Sequence, residues 1–268
     1  MVSFPLQEWV NRDPVRFPRW FLHERRDERE IEAIALFSAM LAYGKADLFM
    51  KVIERILKSC DYEFLDLTLG KRTLKNWPSY RLSRGEEIAS FVAAIGKVIS
   101  WRGSIQSSFR RGFYPPEGIF SGLSTLYEDL YASAIGESES LGRGIKHLLP
   151  DPQKGSCSKR WHLFLRWMVR PYDKVDLGLW KFVSPSKLIV PLDRHISQTA
   201  RALNLTSRSS DDRKTAEEIT QSLRAIDPDD PVRFDFALCH LGMSGNCSHD
   251  RNSSNCETCI LVKSCFPS

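Results

Sequence analysis

Four thiols fall within nineteen residues at the carboxyl end of the chain: Cys247, Cys256, Cys259 and Cys265, spaced C-x8-C-x2-C-x5-C. A reduced cysteine behaves as a small buried hydrophobe, and this polar stretch offers little core to receive it. Three chemistries use such a set: disulfides, a zinc ion, or an iron–sulfur cluster. Disulfides need an oxidising compartment, and the opening MVSFPLQEWVNRDP lacks the basic stretch and apolar run of an export signal, so a cytoplasmic setting is expected. Structural zinc usually takes two paired knuckles, whereas only Cys256 and Cys259 form a CxxC here. A cubane cluster is larger than one ion and accepts uneven gaps from a single loop, which suits this spacing. Cys239, within the apolar run FDFALCHLG, reads as core; Cys60 and Cys157 are isolated.

A second group of residues lies upstream. Between Leu141 and Arg170 stand seven basic residues (Arg143, Lys146, Lys154, Lys159, Arg160, Arg166, Arg170) against one acid, Asp151. Such a local excess can face a polyanion, since lysine and arginine neutralise phosphates whatever the base sequence; it can equally be a solvated helix face. Further on, Asp193 in Val190-Pro191-Leu192-Asp193-Arg194-His195-Ile196 reads, on its own, as a helix N-cap.

These two signals carry a resemblance. Cys256-Glu-Thr-Cys259-Ile-Leu-Val-Lys-Ser-Cys265 resembles the [4Fe-4S] loop of the endonuclease III and adenine glycosylase branch of the helix-hairpin-helix DNA glycosylases. The last spacings match and the first gap is two residues longer. The segment 190–196 is similar to the one in which that family sets its catalytic aspartate at a helix start. The resemblance implies a [4Fe-4S] cluster on Cys247, Cys256, Cys259 and Cys265, and a catalytic role for Asp193 in cleaving the N-glycosidic bond of a damaged or mispaired base. It implies duplex DNA as partner, with the target nucleotide turned out of the stack, because a stacked base leaves C1′ out of reach. Gly155-Ser156-Cys157-Ser158-Lys159 is similar to the end of the family's hairpin turn, with a cysteine where the second glycine stands. That alignment implies Lys159 as the amine that attacks the sugar in bifunctional glycosylase/AP lyases, and Lys154, Gly155, Ser158, Arg160 and Arg194 as DNA contacts, with Arg201, Arg251 and Lys263 as further phosphate contacts. Trp180 and Phe182, in a stretch that lengthens the Lys159 to Asp193 separation, are either base-stacking groups or core.

The elements that must position these groups read as helices. Ile31, Ile34, Ala35, Ser38, Ala39 and Ala42 recur at helical spacing with Gly44 as a stop; Leu48, Val52, Ile53, Ile56 and Leu57 form one face of a second helix. A third runs through RGEEIASFVAAIGKVISWRG and ends at Gly103; a fourth starts with Ser124 as N-cap. Helices from Ile145 to Leu149 and from Ser158 to Val169 flank the basic turn, and two amphipathic helices follow Asp193. Only 187–192 reads as extended, and Pro191 limits it. The expected fold is all-α in two lobes: a six-helix domain over 26–185, and a cluster domain from 1–25 plus 186–268. At 268 residues and 42% apolar content the chain can build a substantial core. No run of eighteen apolar residues marks a membrane span, the net charge of +5 is modest, and a monomer is expected. A non-catalytic nucleic-acid-binding protein, stapled by iron–sulfur or zinc, is the alternative.

Overall fold

A computed structural model describes residues 6–114, 118–135 and 142–243, together with positions 247, 256, 257, 259, 261, 262 and 265. The described residues are all-α: thirteen α-helices and two 3-10 turns, with no strand among them. Contacts divide the chain into two compact units, one of residues 1–154 and 167–181, the other of 155–166 and 182–268.

The first unit is built around α3 (Glu28–Leu41), nearly every side chain of which is buried. Its alanines at 33, 35 and 39 leave room for close neighbours. On one side packs α2 (Arg16–His23) through Phe17 and Phe21, while Arg16 reaches Glu54 of α4 (Ala46–Ser59) at 3.1 Å. The amino-terminal helices thus join this unit, whereas the sequence places residues 1–25 with the carboxy-terminal lobe; burial of Phe17 and Phe21 supplies the reason. In α4 the inward face is Phe49, Met50, Ile53, Ile56 and Leu57, and Leu48, expected inside, is half exposed.

Two buried carboxyls of α3 anchor other elements. Glu30 accepts from Leu65 N at 2.9 Å, at the start of α5 (Phe64–Thr68). Glu32 accepts from Gln106 N (3.1 Å) in the first turn of α7 (Ile105–Gly112) and from Trp180 Nε1 (2.9 Å). Burial pushes the Glu32 carboxyl up to about 7, against the pull of those donors. α6 (Gly85–Arg102) lies against α5 so closely that a Cβ on Gly96 would come within 1.9 Å of Thr68 O. It ends as expected at Gly103, whose φ of +88° suits a residue without Cβ. α8 spans Ile119–Ile135, so Ser124 lies inside it and is not an N-cap. Arg102 of α6 and Ser108 of α7 both donate to the buried Asp129 of α8. Trp180 is fully buried against Phe109 and belongs to the core, not to a stacking surface.

The second unit carries the start of α10 (Lys159–Val169), α11 (Arg194–Ala202), α12 (Arg213–Arg224) and α13 (Asp235–Met243). α11 and α13 pack side by side. Arg166, one of the basic residues read as a polyanion-facing excess, is buried and pairs with Asp235 at 2.7 Å. Arg170 is likewise buried, on Asp176, within the first unit. The outward basic excess of 141–170 is therefore smaller by two than the sequence suggests. Residues 188–192 form no sheet pairing; Val190 N donates instead to Thr220 Oγ1.

Candidate active site

Asp193 precedes the first turn of α11 in extended conformation, and its Oδ1 accepts from Ile196 N at 2.9 Å. This is the N-cap that the sequence predicts, satisfying a helix donor that would otherwise lack a partner. The second oxygen is used differently. Oδ2 accepts from Lys159 Nζ at 2.9 Å and from the Cys239 thiol at 3.6 Å. Two residues that the resemblance singled out separately, 34 positions apart, thus share a hydrogen bond.

The hairpin before α10 sets this contact. Ser158 holds a left-handed φ of +46°, which costs a non-glycine residue about 1 kcal/mol or more. Its surroundings fix it: Trp161 N and His162 N both donate to Ser158 O. The turn is stitched at two further points. Cys157 Sγ donates to Leu192 O, one residue before Asp193, at 3.4 Å. Arg213 N donates to Gly155 O at 3.3 Å, beside a backbone bridge between Ser156 and Asp212. Lys159 is delivered to Asp193 by a loop tied to the segment that carries Asp193.

Electrostatics at the pair favour charge. Burial alone would raise the Asp193 carboxyl, but the Lys159 ammonium, the Ile196 N–H and the nearby His195 outweigh it, and the group sits below the usual aspartate value. The Asp193 side chain is 16% exposed and that of Lys159 34%, so solvent reaches the pair from the lysine side. An ionised, fixed carboxylate in this setting can stand against developing positive charge, or take a proton from the ammonium or from water.

The remaining sequence-predicted residues divide. Lys154, Gly155 and Arg194 are exposed and Arg160 is half exposed. A Cβ on Gly155 would meet nothing within 4 Å, so no steric demand keeps a glycine there. Ser158 is buried, its hydroxyl engaged within the turn on Ser156, and does not offer it to a ligand. Arg201 is committed to Arg208 O, Ser209 O, Ser210 O and Asp211, where it folds the 208–211 loop rather than reaching a phosphate. Arg251 and Lys263 lie outside the described residues. A groove of about 760 Å³ on the same unit is lined by Lys187, Glu217, Gln221 and Arg224 among others, and not by the Lys159–Asp193 pair.

Cys247, Cys256, Cys259 and Cys265 are half-buried and lie outside any disulfide. Cys259 N donates to Cys256 O at 3.2 Å, closing the CxxC turn, and Cys265 N donates to Leu261 O. The Cys265 thiol is raised by burial first and then by the charges of Cys259, Cys247 and Cys256. The four do not converge on a common point: among the described residues no three histidine, cysteine or acidic side chains are gathered as a metal-ligand set. In kind, four thiols from one short stretch of sequence suit zinc or an iron–sulfur cluster. Sequence reasoning missed Cys239 as a neighbour of Asp193. Its place in an apolar helical run gave no signal, because the partner lies 46 residues away.

The fold and site therefore define an all-α protein with a lysine–aspartate pair at a helix amino terminus. The chain belongs to the family described as a protein of unknown function, DUF2400, whose model matches residues 13–244. No curated protein and no solved structure matches it. Among the described residues no single helix is long and apolar enough to cross a membrane.

Proposed function

We propose that this protein is a DNA repair glycosylase of the helix-hairpin-helix kind, which removes a damaged or mispaired base and bears a [4Fe-4S] cluster on Cys247, Cys256, Cys259 and Cys265. The observation that carries the reading is the 2.9 Å contact between Lys159 Nζ and Asp193 Oδ2. In the second unit Gly155, Arg160 and Arg194 serve as contacts to duplex DNA, and Lys154 at the end of the first unit's 1–154 stretch serves as a further one. The cluster's contribution is structural, a covalent clamp on the tail.

The chemistry follows from the pair. As the bond between C1′ and the base nitrogen breaks, its electrons leave with the base and positive charge develops on the sugar. The Asp193 carboxylate, ionised and held by the Ile196 N–H, stabilises that charge. Lys159 begins as an ammonium and cannot attack until it gives up a proton. Asp193 Oδ2, already its hydrogen-bond acceptor, takes that proton as the lysine nitrogen bonds to C1′. Transfer of a second proton from nitrogen to O4′, as the C1′–O4′ bond opens with its electrons on oxygen, leaves an iminium that borohydride reduces. Water in place of the amine gives base removal alone.

The test is base release and strand nicking on duplexes carrying uracil, hypoxanthine, 8-oxoguanine and thymine glycol. Asp193→Asn should lower release by about a hundredfold or more, in line with the loss of a group that meets transition-state charge. Lys159→Gln should abolish borohydride trapping while leaving the fold intact. Trapping at the wild-type level would place the nucleophile elsewhere. A second reading, a non-catalytic nucleic-acid-binding protein on the same scaffold, is favoured by the capping and pairing that already occupy both oxygens of Asp193. Duplex binding without release of any base in the panel would select it.

A further inference from the structure

We infer that Cys239 is a positioning residue for Asp193: its thiol holds Oδ2 in place when Lys159 withdraws to form a bond with substrate. The inference rests on the reading that Lys159 and Asp193 act together.

Asp193 has two anchors of different kinds. Oδ1 is fixed by the Ile196 N–H of its own helix. Oδ2 is shared by an ammonium at 2.9 Å and a thiol at 3.6 Å. When Lys159 loses its proton and turns to C1′, the ammonium hydrogen bond is lost. Without another donor the carboxyl group, which has taken that proton on Oδ2, would then be free to swing about its cap. The thiol is an uncharged donor on a different element, so it holds Oδ2 without competing for the sugar.

The element that carries it is itself fixed. α13 lies close against α11: a Cβ on Gly242 would come within 3.2 Å of His195 Cβ and of Thr199 Oγ1. Thr199 Oγ1 donates to Leu238 O at 3.4 Å, the residue before Cys239. His240 Nδ1 lies 2.7 Å from Phe236 O and donates to it, and its ring packs on that of Phe236 at 4.0 Å. The sulfur also rests 3.7 Å from Met243 Sδ, one turn on. The titratable groups around Asp193 are Lys159 from α10, His195 from α11, and Cys239 and His240 from α13. Of these, Lys159 and Cys239 donate to Oδ2.

The experiment uses the full chain with Cys239→Ala and Cys239→Ser, and reads two quantities: the pH profile of base release, and titration of the Asp193 carboxyl by carbon-13 NMR, with Asp193→Asn giving the assignment. Cys239→Ala should move the acidic limb and the carboxyl titration to higher pH and lower release roughly threefold to tenfold, the effect of one net hydrogen bond. Cys239→Ser, which restores a donor, should return both toward wild type. Identical Asp193 titration in wild type, Ala and Ser overturns the inference. A shifted titration in Ala, restored in Ser, with no base released by any variant, sustains the positioning role and removes the glycosylase reading instead. Should the Ala variant fail to fold, Cys239→Val, close in volume and without a donor, takes its place: a carboxyl titration displaced upward sustains the inference, and one matching wild type overturns it.

Discussion

His162 shows how a side chain's neighbours set its chemistry. It is buried in the second unit, and burial first, then the charge of Arg213, pushes its imidazole down to about 4. An unfolded histidine titrates near ~6.5, so between those values the unfolded chain binds the extra proton. Stability should therefore be complete above pH ~6.5 and fall as pH drops toward 4, by about 1.4 kcal/mol per pH unit for one proton. Urea unfolding across this window should give a slope shallower by one proton in His162→Gln than in wild type; equal slopes would count against the burial argument. The same residue scale explains Arg166 and Arg170. In sequence they sit in a basic run with one acid, but their partners Asp235 and Asp176 make them interior ion pairs. Only Asp176 is near enough in the chain to hint at it. Removing one member of such a buried pair typically costs about 3–5 kcal/mol, because the other charge is left without compensation.

Helix boundaries were readable wherever a cap announced them. Asp193 and Gly103 take the roles their residue types suggest, and Asp212 and Ser104 likewise accept from the first turns of α12 and α7. Ser124 failed as a cap because α8 begins at Ile119, five residues earlier. The intervening Gly122 looks like a loop residue in sequence; it is helical because the Phe109 ring occupies the place of a side chain, 2.7 Å from where a Cβ would stand. Gly96 makes the same point inside α6. Ala normally favours a helix interior over glycine by about 0.5–1 kcal/mol. Here the added methyl meets backbone, Thr68 O at 1.9 Å, and overpacking of about 1–3 kcal/mol should win. With roughly 1 kcal/mol left after the propensity gain is subtracted, Gly96→Ala is expected to lower the melting temperature by about 2–5 °C, at roughly 2–4 °C per kcal/mol. A rise would mean that α5 and α6 part without cost.

At the scale of the whole molecule the cysteine-rich tail carries the sharpest prediction. Purified without oxygen, the chain should bring about four iron and four sulfide with it and absorb broadly in the visible. Cys259→Ser should lose both metal and colour, and one zinc with no sulfide would select the alternative staple.

The spacing of four cysteines, the cap at Asp193, the helical periodicities and the scarcity of strand-forming runs are local properties, and the sequence alone determined them. Which charges face inward, that α2 packs on α3, and that Lys159, Asp193 and Cys239 meet at one oxygen were decided by tertiary structure. The physical reason is separation along the chain. A cap is recognised within four residues, whereas a contact across 34 or 46 residues exists only once packing has brought the helices that carry it side by side.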